Sequence, residues 1–220
     1  MISHIFPIFG TLCYLSYPTE WRINTEALYY ISVLHNSLLI SFSAWTFISL
    51  SQIIYTEGIV FQTNYYFQNP HFDKIIYFFY LSKYYEYADT FLLYLNGKEP
   101  IFLQKYHHIG AVICWHLCYY YKVDFVWMPS ILNSFVHTIM YSYYLGCLLK
   151  NNYVRFIKQY ITTLQLGQFL VLYSAFYFYR IPIETVFNHQ IISIFAWYGF
   201  VLILLFGNFY YQSYMKKAIK

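Results

Sequence analysis

Charge is what this chain has least of. Asp, Glu, Lys and Arg together supply only 10% of its 220 residues, against 60% hydrophobic and 25% aromatic. So few charged groups do not cover a soluble globule of this size, and the composition is that of an integral membrane protein. The bases leave a formal net charge of +4 and form no contiguous patch, which sets nucleic acid aside as a partner. Cysteine is sparse as well: Cys13, Cys114, Cys118 and Cys147 lie in apolar surroundings without CxxC spacing, which argues against a disulfide framework or a zinc site. Cys114 and Cys118 share a helix face and read as buried thiols. Internal repeats, low-complexity tracts and a soluble domain are absent, so residues 1–220 read as one transmembrane unit.

What is present is apolar length. Measured against the roughly 20 residues a spanning helix needs, the chain divides into seven segments, at 3–17, 28–55, 75–95, 100–121, 125–149, 153–179 and 186–213. The expected fold is an all-α polytopic bundle. Its first segment is short, holds Pro7 and Gly10, and lacks a basic leader and cleavage site, so it reads as a truncated span and not a signal peptide. The linkers carry breakers: Pro18 and Thr19, Asn69 and Pro70, Asn96 and Gly97, Pro129 just inside a helix start, Asn151 and Asn152, and Pro182. The one long linker, 56–74, is aromatic and is expected at the membrane interface. With seven spans, one side holds Arg22, Lys98, Lys105, Lys150, Arg155, Lys158, Lys216, Lys217 and Lys220, and the other only Lys74, Lys122 and Arg180. That bias puts the C-terminus in the cytosol.

Ionisable side chains at membrane depth are costly and mark a functional site by default. In the third segment Lys83, Glu86, Asp89 and Thr90 fall at i, i+3, i+6 and i+7, one inward-facing stripe. Lys83 and Glu86 read either as an internal ion-pair latch or as part of a binding site. The fourth segment opens with Glu99 and Pro100 as a helix start. Gln104, His107 and His108 then share a face, with His107 about 10 Å from the cytosolic end. In the fifth, Asn133, His137, Tyr141 and Tyr144 line up at i, i+4, i+8 and i+11. In the sixth, Thr162, Gln165 and Gln168 do so at i, i+3 and i+6. Interhelical hydrogen bonding explains some of these amides. That four stripes reach the cytosolic half describes one polar cavity open to the cytosol with an apolar interior beyond. A substrate with a polar, anionic head and a long apolar tail fits that shape.

Four words in these stripes carry a resemblance: KYYEYADT (Lys83 to Thr90), QKYHH (Gln104 to His108), NSFVHTIMYSYY (Asn133 to Tyr144) and TTLQLGQF (Thr162 to Phe169). In this order and at these separations, the chain resembles the ELO family of very-long-chain fatty-acid elongases from about Arg22 to the C-terminus. Two departures stand out. Gln104 replaces the first histidine of the family's usual HxxHH box, and the N-terminal span is short.

The resemblance implies condensation of an acyl-CoA with malonyl-CoA to a 3-ketoacyl-CoA, CO2 and CoA. It needs no cofactor or metal, and takes place in the endoplasmic reticulum membrane beside the reductases and dehydratase of the elongation cycle. The oligomeric state stays open, a homodimer included. By that likeness His107 is the nucleophile, forming an acyl-imidazole in a ping-pong sequence, and His137 assists by positioning or acid–base work. His108 and Asp89 support them. Attack on a thioester requires the neutral imidazole, the form that dehydrated surroundings favour. Asp89 or a glutamine is the candidate acceptor for the other ring proton. Gln104, Asn133, Tyr141 and Gln165 are candidate oxyanion donors. Lys83, Lys98, Lys150, Arg155 and Lys158 are candidates to hold CoA phosphates, with topology alone as the competing explanation for the loop bases.

Three other readings compete. Cys114, seven residues after His107, can share its face and offers a thiol nucleophile. A metal-dependent desaturase or hydroxylase resembles the HH pair, but it needs several His clusters, and His4, His35, His71, His116 and His189 are scattered while Gln104 removes a ligand. A lipid or proton-coupled transporter would also line a bundle with polar stripes, though here the outer half is left apolar.

Overall fold

A computed structural model describes residues 5–16, 23–60, 64–178 and 186–216. Among these residues the chain is helical and holds no strand. The helices are α1 (Ile5–Leu15), α2 (Thr25–Glu57), α3 (Pro70–Tyr85), α4 (Tyr87–Leu95), α5 (Phe102–Tyr120), α6 (Trp127–Leu148), α7 (Lys158–Phe178) and α8 (Val186–Tyr210), the last continued by a π-helical turn at Tyr211–Met215. With α4 taken as the continuation of α3, the described helices number seven. Among the described residues two stretches, Thr25–Glu57 and Asn188–Met215, are long and apolar enough to cross a membrane. Pro18, Thr19, Arg22, Arg180, Pro182, Lys217 and Lys220 lie outside the described residues.

The breakers act where local chemistry requires. Asn24 starts α2 by accepting from Glu26 N at 2.8 Å, and Asn69 starts α3 by accepting from His71 N at 2.9 Å with Pro70 in the first turn. Each satisfies an N–H that has no partner within its helix. After α4 the backbone turns left-handed at Gly97 (φ 68°). Gly97 N–H bonds Tyr94 O at 2.8 Å and Lys98 N–H bonds Leu93 O at 2.9 Å, a Schellman cap that favours glycine at this position. Pro129 lies in the first turn of α6, as expected.

Packing brings α2 along α6, α7 along α8, and α5 against both α3 and α8. Phe72, Ile76, Phe79, Trp115, Phe195 and Leu202 are among the buried apolar residues of the core. Large apolar side chains also point outward, such as Leu34, Trp197 and Leu204. Lipid covers such a surface without cost. The short α1 packs on α4 and α5: Tyr14 stacks on Tyr87 with centroids 4.2 Å apart, and its hydroxyl meets Thr90 Oγ1 at 2.9 Å. At 11 residues and about 1.5 Å per residue, α1 covers about half the thickness of a bilayer core.

Three expectations are corrected. The third segment is interrupted at Glu86, whose dihedrals stay helical (φ −63°, ψ −16°) while Asp89 N–H bonds Glu86 O at 3.1 Å, three residues back. The linker after α2 is shorter than expected, and Tyr66 and Phe67 within it are core residues. Tyr66 is fully buried and packs on Phe72, because the carboxylate of Asp124 accepts from the backbone N–H groups of Tyr65, Tyr66 and Phe67. Tyr66 also donates to Gly58 O at 2.6 Å. Finally, α5 begins at Phe102, not at Glu99 and Pro100, because Ile101 is extended (φ −70°, ψ 156°) and serves as the N-cap.

Candidate active site

The break at Glu86 sits inside a closed ring of four polar side chains. Lys83, 1% exposed, donates from Nζ to Glu86 Oε1 at 2.7 Å and to Asn133 Oδ1 at 2.8 Å. Lysine only donates, so this bond fixes the orientation of the Asn133 amide. Its Nδ2 then donates to His137 Nε2 at 3.0 Å, which leaves the ring proton of a neutral His137 on Nδ1, 3.5 Å from Glu86 Oε1. The ammonium also sits 4.0 Å over the ring of Phe79. The ion-pair latch anticipated for Lys83 and Glu86 is therefore present.

A second cluster centres on Asp89. Its Oδ1 accepts from His35 Nε2 at 2.8 Å, and its Oδ2 accepts from the Tyr141 hydroxyl at 2.7 Å. The Tyr141 ring stands edge-on to His137, with centroids 5.4 Å apart at 85°, so the two clusters share a wall. His35 is not scattered: it lies on a buried face of α2 with Ser32, Asn36, Ser43 and Thr46. Sequence reasoning missed it. The signal was there, since these five polar residues recur at helical spacing within an apolar run.

His107 differs from His35 and His137, whose rings are hydrogen-bonded. Its imidazole has no hydrogen-bond partner among the described residues, and it lies with its centroid 5.5 Å from that of His108 and 6.3 Å from that of His137. Its backbone carbonyl accepts from the Tyr198 hydroxyl of α8 at 2.9 Å. This contact depends on Gly110, where a Cβ would lie 2.1 Å from Tyr198 Cε2. Tyr198 is a second residue that sequence reasoning missed. His108 is buried, and its Nδ1 has no partner.

Two cavities meet at His107. One, of about 620 Å³, is polar on one wall and is lined by His35, Asp89, Gln104, His107, His108, His137, Tyr141, Tyr144 and Gln165, with Lys98 and Glu99 also on its wall. The other is narrow and mainly apolar, bounded by Trp115, Phe169, Phe176, Phe195 and Tyr198 between α5, α6, α7 and α8. His107 and Gln168 line both, and the buried Oε1 of Gln168 has no partner. Gln104 bonds Thr90 Oγ1 at 3.3 Å and Gln165 contacts Met140 Sδ at 3.1 Å.

Of the residues singled out from sequence, Asp89, Gln104, His107, His108, His137, Tyr141, Tyr144, Gln165 and Gln168 meet on the polar cavity. Asn133 lines the apolar one. Lys83 and Glu86 are enclosed behind His137. Lys158 is exposed at the start of α7, and Lys150 is exposed just after α6; both are away from these walls. The Arg155 side chain lies outside the described residues. Cys114 is buried and lines neither cavity. Among the described residues no three His, Cys, Asp or Glu side chains are grouped so as to hold a metal ion.

A neutral imidazole with a free nitrogen can attack an electrophilic carbon, and one placed between a polar chamber and an apolar slot addresses a molecule that is polar at one end and apolar at the other. The sequence profile of the GNS1/SUR4 family, ELO, matches residues 3–220. The chain belongs to the ELO family. This ELO protein is 38% identical over 153 residues to the fatty acid elongase sre1 of Dictyostelium discoideum, covering 65% of this chain and 54% of that one. It is 32% identical over 156 residues to very long chain fatty acid elongase 4 of Trypanosoma cruzi, covering 66% and 53%. To very long chain fatty acid elongase 5 of Xenopus tropicalis it is 30% identical over 154 residues, covering 66% and 50%. The chain thus spans about half the length of these relatives. No solved structure matches it.

Proposed function

We propose that this ELO-family protein condenses an acyl-CoA with malonyl-CoA to a 3-ketoacyl-CoA, releasing CO2 and CoA. The observation that carries this is the free imidazole of His107 at the junction of the polar and apolar cavities. Relatives named as fatty acid elongases support the same substrate class. In this reading seven spans surround a cavity open to the cytosol, where CoA sits, and the apolar slot is the start of an acyl tunnel. The protein works in the endoplasmic reticulum membrane with its C-terminus in the cytosol, upstream of the reductases and dehydratase that complete each cycle.

The chemistry divides into two half-reactions. A His107 nitrogen attacks the thioester carbonyl carbon, the C–S bond breaks, and CoA leaves as the thiolate, with the acyl group on the imidazole. Malonyl-CoA then loses CO2, and the electron pair of the broken C–C bond forms an enolate. Its carbon attacks the acyl carbon, and the C–N bond to His107 breaks. One proton is consumed overall and ends on the CoA thiol. Gln104 and Gln168 are the amides best placed to stabilise the oxyanion. Tyr141 is removed from that role because its only proton goes to Asp89, and Asn133 is held by Lys83 and His137. Lys83 balances charge within the site, and Lys98 is the base on the cavity wall suited to CoA phosphate.

The test is product analysis on purified protein given malonyl-CoA and a ladder of acyl-CoA lengths. Wild type is expected to yield 3-ketoacyl-CoA, and His107→Ala to lose turnover by about 10³-fold or more while remaining folded. Near-normal turnover by the variant would reject His107 as nucleophile.

A further inference from the structure

His35 belongs to none of the four words that carry the family resemblance, yet it is enclosed on the cavity wall and bonded to one of their members. Its Nε2 meets Asp89 Oδ1 at 2.8 Å, and the Tyr141 hydroxyl meets Asp89 Oδ2 at 2.7 Å. An ionised carboxylate only accepts, so both partners must donate. His35 therefore carries a proton on Nε2, and Tyr141 commits its own proton to Asp89. One aspartate on α4 is in this way gripped from α2 and from α6, just beyond the break at Glu86. The Tyr141 ring stands edge-on between two imidazoles, that of His35 at 6.3 Å and 89° and that of His137 at 5.4 Å and 85°. A side chain so placed transmits position: if Asp89 loses one of its two donors it swings, the Tyr141 hydroxyl follows, and the surface against which His137 rests moves with it.

We propose that His35 is a positioning residue of the active site, acting through Asp89 and Tyr141 to fix the ring of His137. The inference rests on the condensation reading of the cavity. It assigns work to the Nε2 donor and none to packing alone, which separates it from a structural role. Small displacements of a reacting group are costly in rate, up to about a hundredfold for about 1 Å.

Two variants isolate that donor. In His35→Gln the amide nitrogen reaches the place of Nε2 and can still donate to Asp89. In His35→Asn the amide stops at the place of Nδ1 and cannot. Both are polar, but asparagine is one methylene shorter than glutamine and leaves the larger void, and an Asp89→Asn background separates loss of volume from loss of the donor. With purified full-length protein, His35→Asn is expected to lower kcat for 3-ketoacyl-CoA formation by about tenfold to a hundredfold with KM for both substrates within about twofold, and His35→Gln to recover kcat to within about threefold of wild type. In an Asp89→Asn background, His35→Asn is expected to add no further loss, because the two act as one unit.

Equal activity of the Gln and Asn variants, or losses that multiply in the double variant, would overturn the inference and leave the condensation reading standing. Wild-type protein that forms no 3-ketoacyl-CoA would overturn the condensation reading and this inference with it. Should His35→Asn fail to fold, Tyr141→Phe removes the other donor to Asp89 at nearly constant volume. It is expected to show the same fall in kcat at steady KM, and wild-type kcat would overturn the proposal.

Discussion

Lys83 Nζ lies 2.7 Å from Glu86 Oε1 in the interior of the protein, at the point where α3 gives way to α4. The bond explains how a helix tolerates two charges there: each compensates the other, and Asn133 and His137 complete their surroundings. Taking one charge away leaves the other buried and unpaired.

Lys83→Met is therefore expected to lower stability by about 3–5 kcal/mol, and the double change Lys83→Met with Glu86→Gln to recover much of it. Thermal unfolding in detergent measures both. A single variant as stable as wild type would show that the pair does not hold the break.

Gly110→Ala is expected to force Tyr198 off the α5 backbone, since the new methyl would fall on its ring. Overpacking of this kind costs about 1–3 kcal/mol. Condensation should fall further than in Tyr198→Phe, which loses only the 2.9 Å bond to His107 O, worth about 0.5–1.5 kcal/mol. Comparable rates in the two variants would mean that the position of α8 is irrelevant to His107.

Gly199 lines the apolar cavity, and a Cβ built on it meets nothing within 4 Å. Gly199→Leu should fill that space and shorten the longest product made from an acyl-CoA ladder, leaving the shortest substrates unaffected. An unchanged product profile would place the acyl chain elsewhere.

Asp124→Asn replaces one of two acceptor oxygens with a donor facing backbone N–H groups of Tyr65 to Phe67. The expected loss is about 1–3 kcal/mol, read by thermal unfolding. An unaltered melting temperature would show that this carboxylate does not anchor the segment.

The helices were legible because apolar runs and Asn, Pro and Gly breakers act locally. Asn69 and Gly97 do in the structure what their side chains, or lack of one, dictate. The four stripes were legible because helical spacing alone puts their residues on one face. What stayed hidden depends on distant partners. Tyr66 is buried because Asp124, 58 residues on, caps its loop. Tyr198 reaches His107 across 91 residues of sequence. His35 stands as a single histidine in an apolar run, and its place shows only through the polar face it shares with Ser32 and Asn36 and through Asp89, 54 residues on.

The central claim is that His107 carries the acyl group. Intact-mass analysis of wild-type protein incubated with acyl-CoA alone, followed by peptide mapping, tests it most directly. One acyl adduct mapping to His107 and missing from His107→Ala is expected; an adduct on the buried thiol of Cys114, or none at all while condensation proceeds, would contradict it.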